Sequence, residues 1–455
     1  MKQTLIVLIC LSSIFLNAQI PNSISKAEKV YGLSKFWQEV NYNFVYLNKI
    51  DRDKWENDYK TLIEEVQKTE NDYEYYRLLQ KFCATLKDGH TNVFFPDAIE
   101  NNLYNTNFGE FRLFLTNIDN KAIVTRTNLS KKDEIPIGTE VVKVNGIDTK
   151  TYLEKEIIPY ISSSTDYILF DKAIWKMFKA PEGTSFDITF QLPNGEIKEL
   201  KLTHTETTEK EVYPEFDDWP LFEFKWIEEN IAYISLNSFG NPKIDTLFLE
   251  KLPELYNAEK LIIDLRKNGG GSTYVGRDIL QYLTNDTLLF GSAQQSRLHI
   301  PAYKAWGQWT ALKDTVGDQM ATQAYLTSRD SFYHNFPYEA DTIRMKEKRL
   351  VVPTAILIGH GTASAAEDFL IYADNQPHMI NIGEPTFGST GQPLLFELPG
   401  GGSARVCTKK DTYPNGKEFV GYGILPDIEV KKSFEDYMEN KDPVLEKAIQ
   451  YLIDK

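Results

Sequence analysis

The chain has 455 residues, 42% of them hydrophobic and 25% charged, which is ordinary globular composition with enough apolar material for two or three cores. Its formal net charge of −15 excludes a chain built to hold nucleic acid or an anionic membrane surface. Three cysteines are too few for a disulfide scaffold.

The first residues, MKQTLIVLICLSSIFLNAQ, place Lys2 ahead of an apolar run from Leu5 to Leu16. That run is too short to span a bilayer as a helix, which needs roughly 20 residues, and has the form of a signal peptide cleaved after Ala18. A lipoprotein anchor on Cys10 is disfavoured by the bulky Ile9 before it. Residues 1–18 therefore predict export to the periplasm or beyond, with no stable membrane insertion after cleavage. Cys83 and Cys407, distant in sequence, read as isolated buried thiols.

Residues 19–98 form an N-terminal helical region, with apolar side chains at three- and four-residue steps through KAEKVYGLSKFWQEVNYNF, DRDKWENDYKTLIEEVQKT and DYEYYRLLQKFCATLKD. LKDGHTNVFF follows and carries His90, one of six histidines, in a glycine-containing turn from which an imidazole can reach outward. Residues 99–205 are β-rich. There Gly138 to Gly146 reads as a strand and turn, TYLEKEI as a short helix, and Asn107 to Phe111 as a candidate ligand loop.

Residues 206–455 alternate strands and helices. A buried strand, Leu261 to Leu265, runs into Gly269, Gly270 and Gly271, and a helix begins near Ser272. Glycines free their amides for close approach to an anion, and the turn has neither a G-x-x-x-x-G-K-S/T nor a dinucleotide G-x-G-x-x-G context. An oxyanion site is the sharper reading and a plain tight turn the plainer one. Between about 286 and 348 lies an aromatic and polar insertion with Tyr303, Trp306, Trp309, Tyr325 and Tyr333, expected as a lid on a groove or as a peripheral packing element.

The second strand-turn-helix corner is VVPTAILIGHGTASAAEDF, a strand from Val351 to Ile358 and a helix opening at Ser364. Such a corner lifts a side chain off the sheet and aims backbone amides at whatever binds there. A serine in this place is also a common N-cap. Glu367 and Asp368 fit the helix macrodipole and receive no catalytic role. Beyond them come GEPTFGSTGQ, a hairpin turning at PGGGS (399–403), and GYGILPDIEV. There is no G-x-S-x-G, no H-E-x-x-H and no paired-cysteine ligand set, so no metal or cofactor is expected.

DLRKNGGG, GTASAAEDF, GEPTFGSTGQ and GYGILPDIEV, in that order and at these separations, resemble the tail-specific or C-terminal processing serine peptidases, a superfamily that includes the tricorn core and interphotoreceptor retinoid-binding protein repeats. The resemblance implies a crotonase/ClpP-like α/β core at 206–455, a PDZ-like domain at 99–205, and hydrolysis of peptide bonds in a polypeptide substrate through an acyl-enzyme. By position, Ser364 matches the family nucleophile. Gly270 and the amide of Ala365 match the oxyanion donors, with Gly269 or Gly271 as alternatives within the turn.

Many bacterial members carry a catalytic lysine in T-F-G-K-G, where this chain has Thr386-Phe387-Gly388-Ser389-Thr390. A serine hydroxyl still needs a proton acceptor. His90 is expected to serve, as a histidine does in the tricorn-like branch. Gly89 stands where that branch has a serine. Glu418 is expected to orient His90, the alternative being a solvent-facing strand glutamate. Lys409 and Lys410 read as a solvated pair rather than as bases. The rival expectation is an inactive binding protein for peptides or hydrophobic ligands on the same fold.

Overall fold

The computed structural model describes residues 22–228 and 230–455; the expected signal peptide lies outside the described residues. Helix α1 (Lys26–Asn43) starts at a capping box in which Ser25 and Glu28 exchange hydrogen bonds, and it buries Leu33, Phe36 and Val40 at the expected steps. Helices α2 (Arg52–Glu65) and α3 (Asp72–Ala84) are capped by Asp51 and Asn71. Trp55 of α2 stacks on Phe82 of α3 at 3.8 Å between ring centroids. The aromatic stripe seen in the sequence is helix packing. The chain leaves α3 through the His90 turn into strand β1 (Asn92–Phe94).

The β-rich region has its own apolar cluster. Strands β2 (Phe111–Ile118), β3 (Lys121–Asn128) and β4 (Glu140–Val144) lead to helix α4 (Asp166–Trp175) and then to β5 (Ser185–Gln191) and β6 (Ile197–Thr203). The sheet order is β6-β5-β4-β3-β2. Phe190, Val144, Leu153 and Ile174 are fully buried inside it. The predicted strand at 138–146 appears as β4. The segment expected as a ligand loop is instead a tight hairpin, with Asn107 and Phe108 paired to Arg112 and Phe111.

The core sheet is built from β7 (Phe222–Glu228), β8 (Ile231–Leu236), β9 (Lys260–Asp264), β10 (Thr354–Ile358), β11 (Met379–Gly383) and β14 (Ile428–Glu429), hydrogen-bonded in that order. All neighbours are parallel except the edge strand β7. Central parallel strands are covered on both faces, which is why LIID and TAILI read as unbroken apolar runs.

Alternate residues go to opposite sides. Leu261, Ile263, Ile356 and Ile358 join the large cluster with helices α5 (Lys243–Leu255), α6 (Thr273–Leu280) and α7 (Ala365–Ala373), whereas Ile262, Ala355 and Leu357 meet Val444, Ala448 and Leu452 of α8 (Pro443–Ile453). The hairpin expected at 399–403 joins β12 (Pro393–Glu397) to β13 (Ser403–Cys407), and β13 pairs with β1 on its other side.

The N-terminal helices are welded to this hairpin. Tyr76 donates to Pro399 O at 2.6 Å, and a Cβ at Gly32 would lie 2.2 Å from the Tyr75 hydroxyl. The 286–348 insertion packs against the same helices: Arg297 donates to Phe44 O at 3.2 Å and Tyr333 to Val45 O at 2.8 Å. Cys83 and Cys407 are buried, unpaired thiols.

Candidate active site

Three turns leave the carboxyl ends of adjacent parallel strands, the usual place for a ligand site in an open α/β sheet. The glycine turn follows β9, the Ser364 turn follows β10, and the 386–390 loop follows β11.

Ser364 has φ 56° and ψ −120°, a backbone conformation that costs a non-glycine residue about 1–3 kcal/mol and is held only when its surroundings over-determine it. Those surroundings are visible. The Ala363 amide donates to Asn268 O at 3.0 Å, and the Ser364 amide donates to the Glu367 carboxylate at 3.0 Å. Ser364 occupies the N-cap position, yet its hydroxyl makes no capping bond. Glu367 closes the helix start in its place. Ser364 itself is half-buried at the carboxyl end of the sheet.

The glycine turn packs directly on this corner. A Cβ at Gly270, where φ is +97°, would lie 2.7 Å from Ala363 O, 2.7 Å from Ser364 Cβ and 2.9 Å from the Ala365 amide. Only glycine fits. The Gly270 amide itself donates to Asn268 Oδ1 at 2.9 Å, and Asn268 is braced in turn by Leu236 O at 2.8 Å. Among the described residues the Ala365 and Gly271 amides have no protein acceptor. Of the expected donors Gly270 and Ala365, the Gly270 amide is occupied by Asn268, and the Gly269 and Gly271 amides remain the alternatives within the turn.

His90 comes to the 386–390 loop from the N-terminal region. Its turn is fixed by buried Asp88, which accepts from Thr91 Oγ1 at 2.6 Å, and by Ser164, which accepts the Gly89 amide at 2.9 Å. His90 Nδ1 lies 2.7 Å from Ser389 Oγ. Burial first, then the charges of Arg405, Lys172 and Lys409, push the imidazole down to about 4. It is neutral at physiological pH.

Glu367 ties the two halves together. It is fully buried, and its carboxylate accepts from Thr386 Oγ1 at 2.6 Å, from the Gly388 amide at 2.8 Å, from the Ser389 amide at 3.3 Å and from the Ser364 amide at 3.0 Å. Burial pushes the carboxyl up to about 8 while these four donors pull the other way. Glu367 and Asp368 stand in the first turn of α7 as the sequence suggested, and both are buried acceptors, Asp368 taking bonds from Thr273 and Ser292 at 2.6 Å each. The S-x-x-E spacing of a capping box was the signal for Glu367.

The structure does not bring Glu418 to His90. Its carboxylate pairs with Lys49 at 2.8 Å and with Lys410; burial opposes the charge, and the two lysines hold the carboxyl below its ordinary value. Lys409 is bound 3.0 Å from buried Asp411, so the two lysines are ion-paired rather than solvated. The Nδ1 partner of His90 is Ser389, the residue standing where many relatives carry lysine. Gly89 is explained by the same contact, because a Cβ there would lie 2.8 Å from Ser389 Oγ.

Residues 230–430 match the sequence profile of peptidase family S41. The chain is 23% identical over 296 residues to the carboxyl-terminal-processing protease of Picosynechococcus sp., covering 64% of this chain and 59% of that one. It is 22% identical over 427 residues to the carboxyl-terminal-processing protease of Synechocystis sp., covering 93% of this chain and 86% of the relative. Among solved structures, mature CPAF complexed with lactacystin has the same fold, with a TM-score of 0.69 at 15% identity over 94% of this chain and 99% of that one. Both glycine-rich turns lie inside the segment that matches peptidase family S41, and the chain is thus similar in sequence to the carboxyl-terminal-processing proteases and shares its fold with CPAF along nearly its whole length.

Proposed function

We propose that the protein is an exported endopeptidase in which Ser364 attacks the scissile carbonyl and His90 takes its proton. The observation that carries this reading is the strained Ser364 corner with its uncommitted hydroxyl, joined through Glu367 to the loop that holds His90. The Ser364 hydroxyl and His90 share no hydrogen bond in this structure, and such bonds tighten when substrate arrives.

For His90 to accept through Nε2, its proton must sit on Nδ1 and be donated to Ser389 Oγ. Ser389 thus selects the reactive tautomer, the role expected of Glu418, and it does so without a carboxylate. The Ala365 amide and a free amide of the Gly269–Gly271 turn hold the oxyanion as the tetrahedral intermediate forms. The acyl-enzyme is then opened by water with His90 again as base. Export follows from the leader, Lys2 with the apolar run Leu5 to Leu16; among the described residues no helix is long and apolar enough to cross a membrane.

Hydrolysis of an unfolded protein substrate, followed against pH, tests the proposal. The base must be neutral, so kcat/KM falls as pH drops through its pKa. The acidic limb is expected near pH 4, well below the 6.5 of a free imidazole. A limb at 6.5 or higher would assign the base elsewhere. Tight stoichiometric retention of an apolar ligand with no turnover would favour the binding-protein reading.

Ser389→Ala should lower kcat roughly ten- to a hundredfold while leaving KM little changed, because it frees the imidazole tautomer without removing the base. Unchanged kcat would remove Ser389 from the mechanism.

A further inference from the structure

One short segment of the β-rich region touches all three parts of the site. Ser164 accepts the Gly89 amide at 2.9 Å, Thr165 and Tyr167 donate to Phe387 O and Thr386 O at 3.3 and 2.5 Å, and Asp171 accepts from His360 Nδ1 at 2.5 Å. His360 stands four residues before Ser364, in the turn that leaves β10. Tyr167 and Asp171 lie one turn apart on the same face of α4, so both reach the ring: Asp171 takes its Nδ1 proton while Tyr167 stacks on it at 4.7 Å between centroids. Asn117 of β2 donates to the other Asp171 oxygen at 2.6 Å. Among the described residues, His360 is the side chain of the 359–364 turn that bonds to the β-rich region; Thr362 donates inward to Leu265 O.

The ring is half-buried on the wall of a cavity of about 570 Å³ between β2, α4 and the loops after β11 and β14. Asp171 and Glu384 face it as acids, and Asp119 lines the same cavity. The cations there are Lys432 and Lys431, the latter paired with Glu429 at 3.1 Å, while Arg266 under Gly359 is committed to Asp264 and Asp442. Burial opposes the imidazolium and Lys431 repels it, yet the bond and charge of Asp171, joined by Glu384, outweigh both and hold the ring above its ordinary 6.5. His90, buried among cations, shifts the opposite way.

We propose that His360 is a positioning residue for Ser364: as an imidazolium it pins the nucleophile turn to Asp171 of α4, and on losing its proton it lets that turn loosen. The inference rests on the reading of Ser364 as nucleophile and adds to it a control on the alkaline side. A hydrogen bond between ionised partners is roughly twice as strong as a neutral one. The clamp is therefore complete below pH 6.5 and weakens as pH rises through the raised value of the ring. A corner held at a φ of 56° stays in place only while its surroundings over-determine it, and the clamp is one of those constraints.

The first test is kcat/KM against pH, with the melting temperature recorded at each point. Wild type is expected to lose roughly tenfold over one titration above pH 6.5, an alkaline limb separate from the acidic limb near 4. His360→Gln, which keeps a donor but carries no charge, should start roughly tenfold lower and lack the alkaline limb, with the acidic limb unmoved. Asp171→Asn should move the alkaline limb to lower pH, because the ring loses its counter-charge. No alkaline limb in wild type, or one that persists in folded His360→Gln, would overturn the proposal.

The second test needs neither turnover nor a variant. In NMR of isotope-labelled wild type, the Ser364 and Ala365 amide signals should shift with the same midpoint as the His360 ring. Amides indifferent to that titration in an active enzyme would overturn the clamp and leave the peptidase reading standing. A shared midpoint in a protein that cleaves nothing would sink the peptidase reading and leave the clamp.

Discussion

Replacing Ser364 by alanine is expected to abolish covalent labelling by a fluorophosphonate and to lower kcat roughly a millionfold, because the acyl-enzyme route disappears with the attacking oxygen. His90→Ala should cost nearly as much, since in a site whose members act as a unit the loss of base or nucleophile alone removes most of the gain. The two effects should not add. Stability should change little in Ser364→Ala: alanine keeps the Cβ that strains the φ of 56°, and the lost hydroxyl made no capping bond. Labelling of the alanine variant at the wild-type rate would show that the reactive serine lies elsewhere.

Gly270→Ala is expected to be the most damaging change outside the reacting groups. The added methyl would sit within 2.9 Å of three atoms of the nucleophile corner, two of them backbone, so no rotamer change relieves it. Its φ of +97° adds strain of its own. Relief requires the glycine turn to withdraw from Ser364, carrying its free amides off the oxyanion. Loss of one such donor costs about 2.7–4 kcal/mol of barrier, so kcat should fall roughly a hundred- to a thousandfold, with a melting temperature lower by several degrees. Wild-type kcat in a folded Gly270→Ala protein would show that the turn takes no part.

Much of the core was legible because its signals are local. An apolar run, a glycine-rich turn and an amphipathic helix predict a strand-turn-helix corner wherever it sits, and both corners appear at 260–280 and 354–373. Ser364 and the glycine turn were found that way, and His90 through a resemblance in motif order. Glu418 was misplaced for the opposite reason. One partner, Lys49, comes from a segment 369 residues away and the other, Lys410, from the strand eight residues before it, and sequence spacing does not say which way a glutamate in the connecting loop projects. Ser389 was overlooked because a serine in G-S-T-G registers as a missing lysine, not as a hydroxyl meeting an imidazole encoded 299 residues away. Within the glycine turn the Asn268 amide oxygen claims the middle donor, which leaves Gly269 and Gly271 as the alternatives.

The pH dependence of stability follows from the same burial. His90 binds its proton only near pH 4 when folded, against 6.5 in the unfolded chain, so between those values the unfolded state holds more protons. This group therefore withdraws stability as pH falls through that window and contributes nothing to pH dependence above it.

Glu367 has a consequence for how such sites diversify. Its carboxylate fixes the main chain of position 389 against that of position 364, and it does so through amides, which every residue but proline possesses. The side chain at 389 is thereby a replaceable fitting in a permanent socket. A lineage could exchange an amine for a hydroxyl there and recruit a ring from another segment, altering how protons are handled while the scaffold beneath stays as it was.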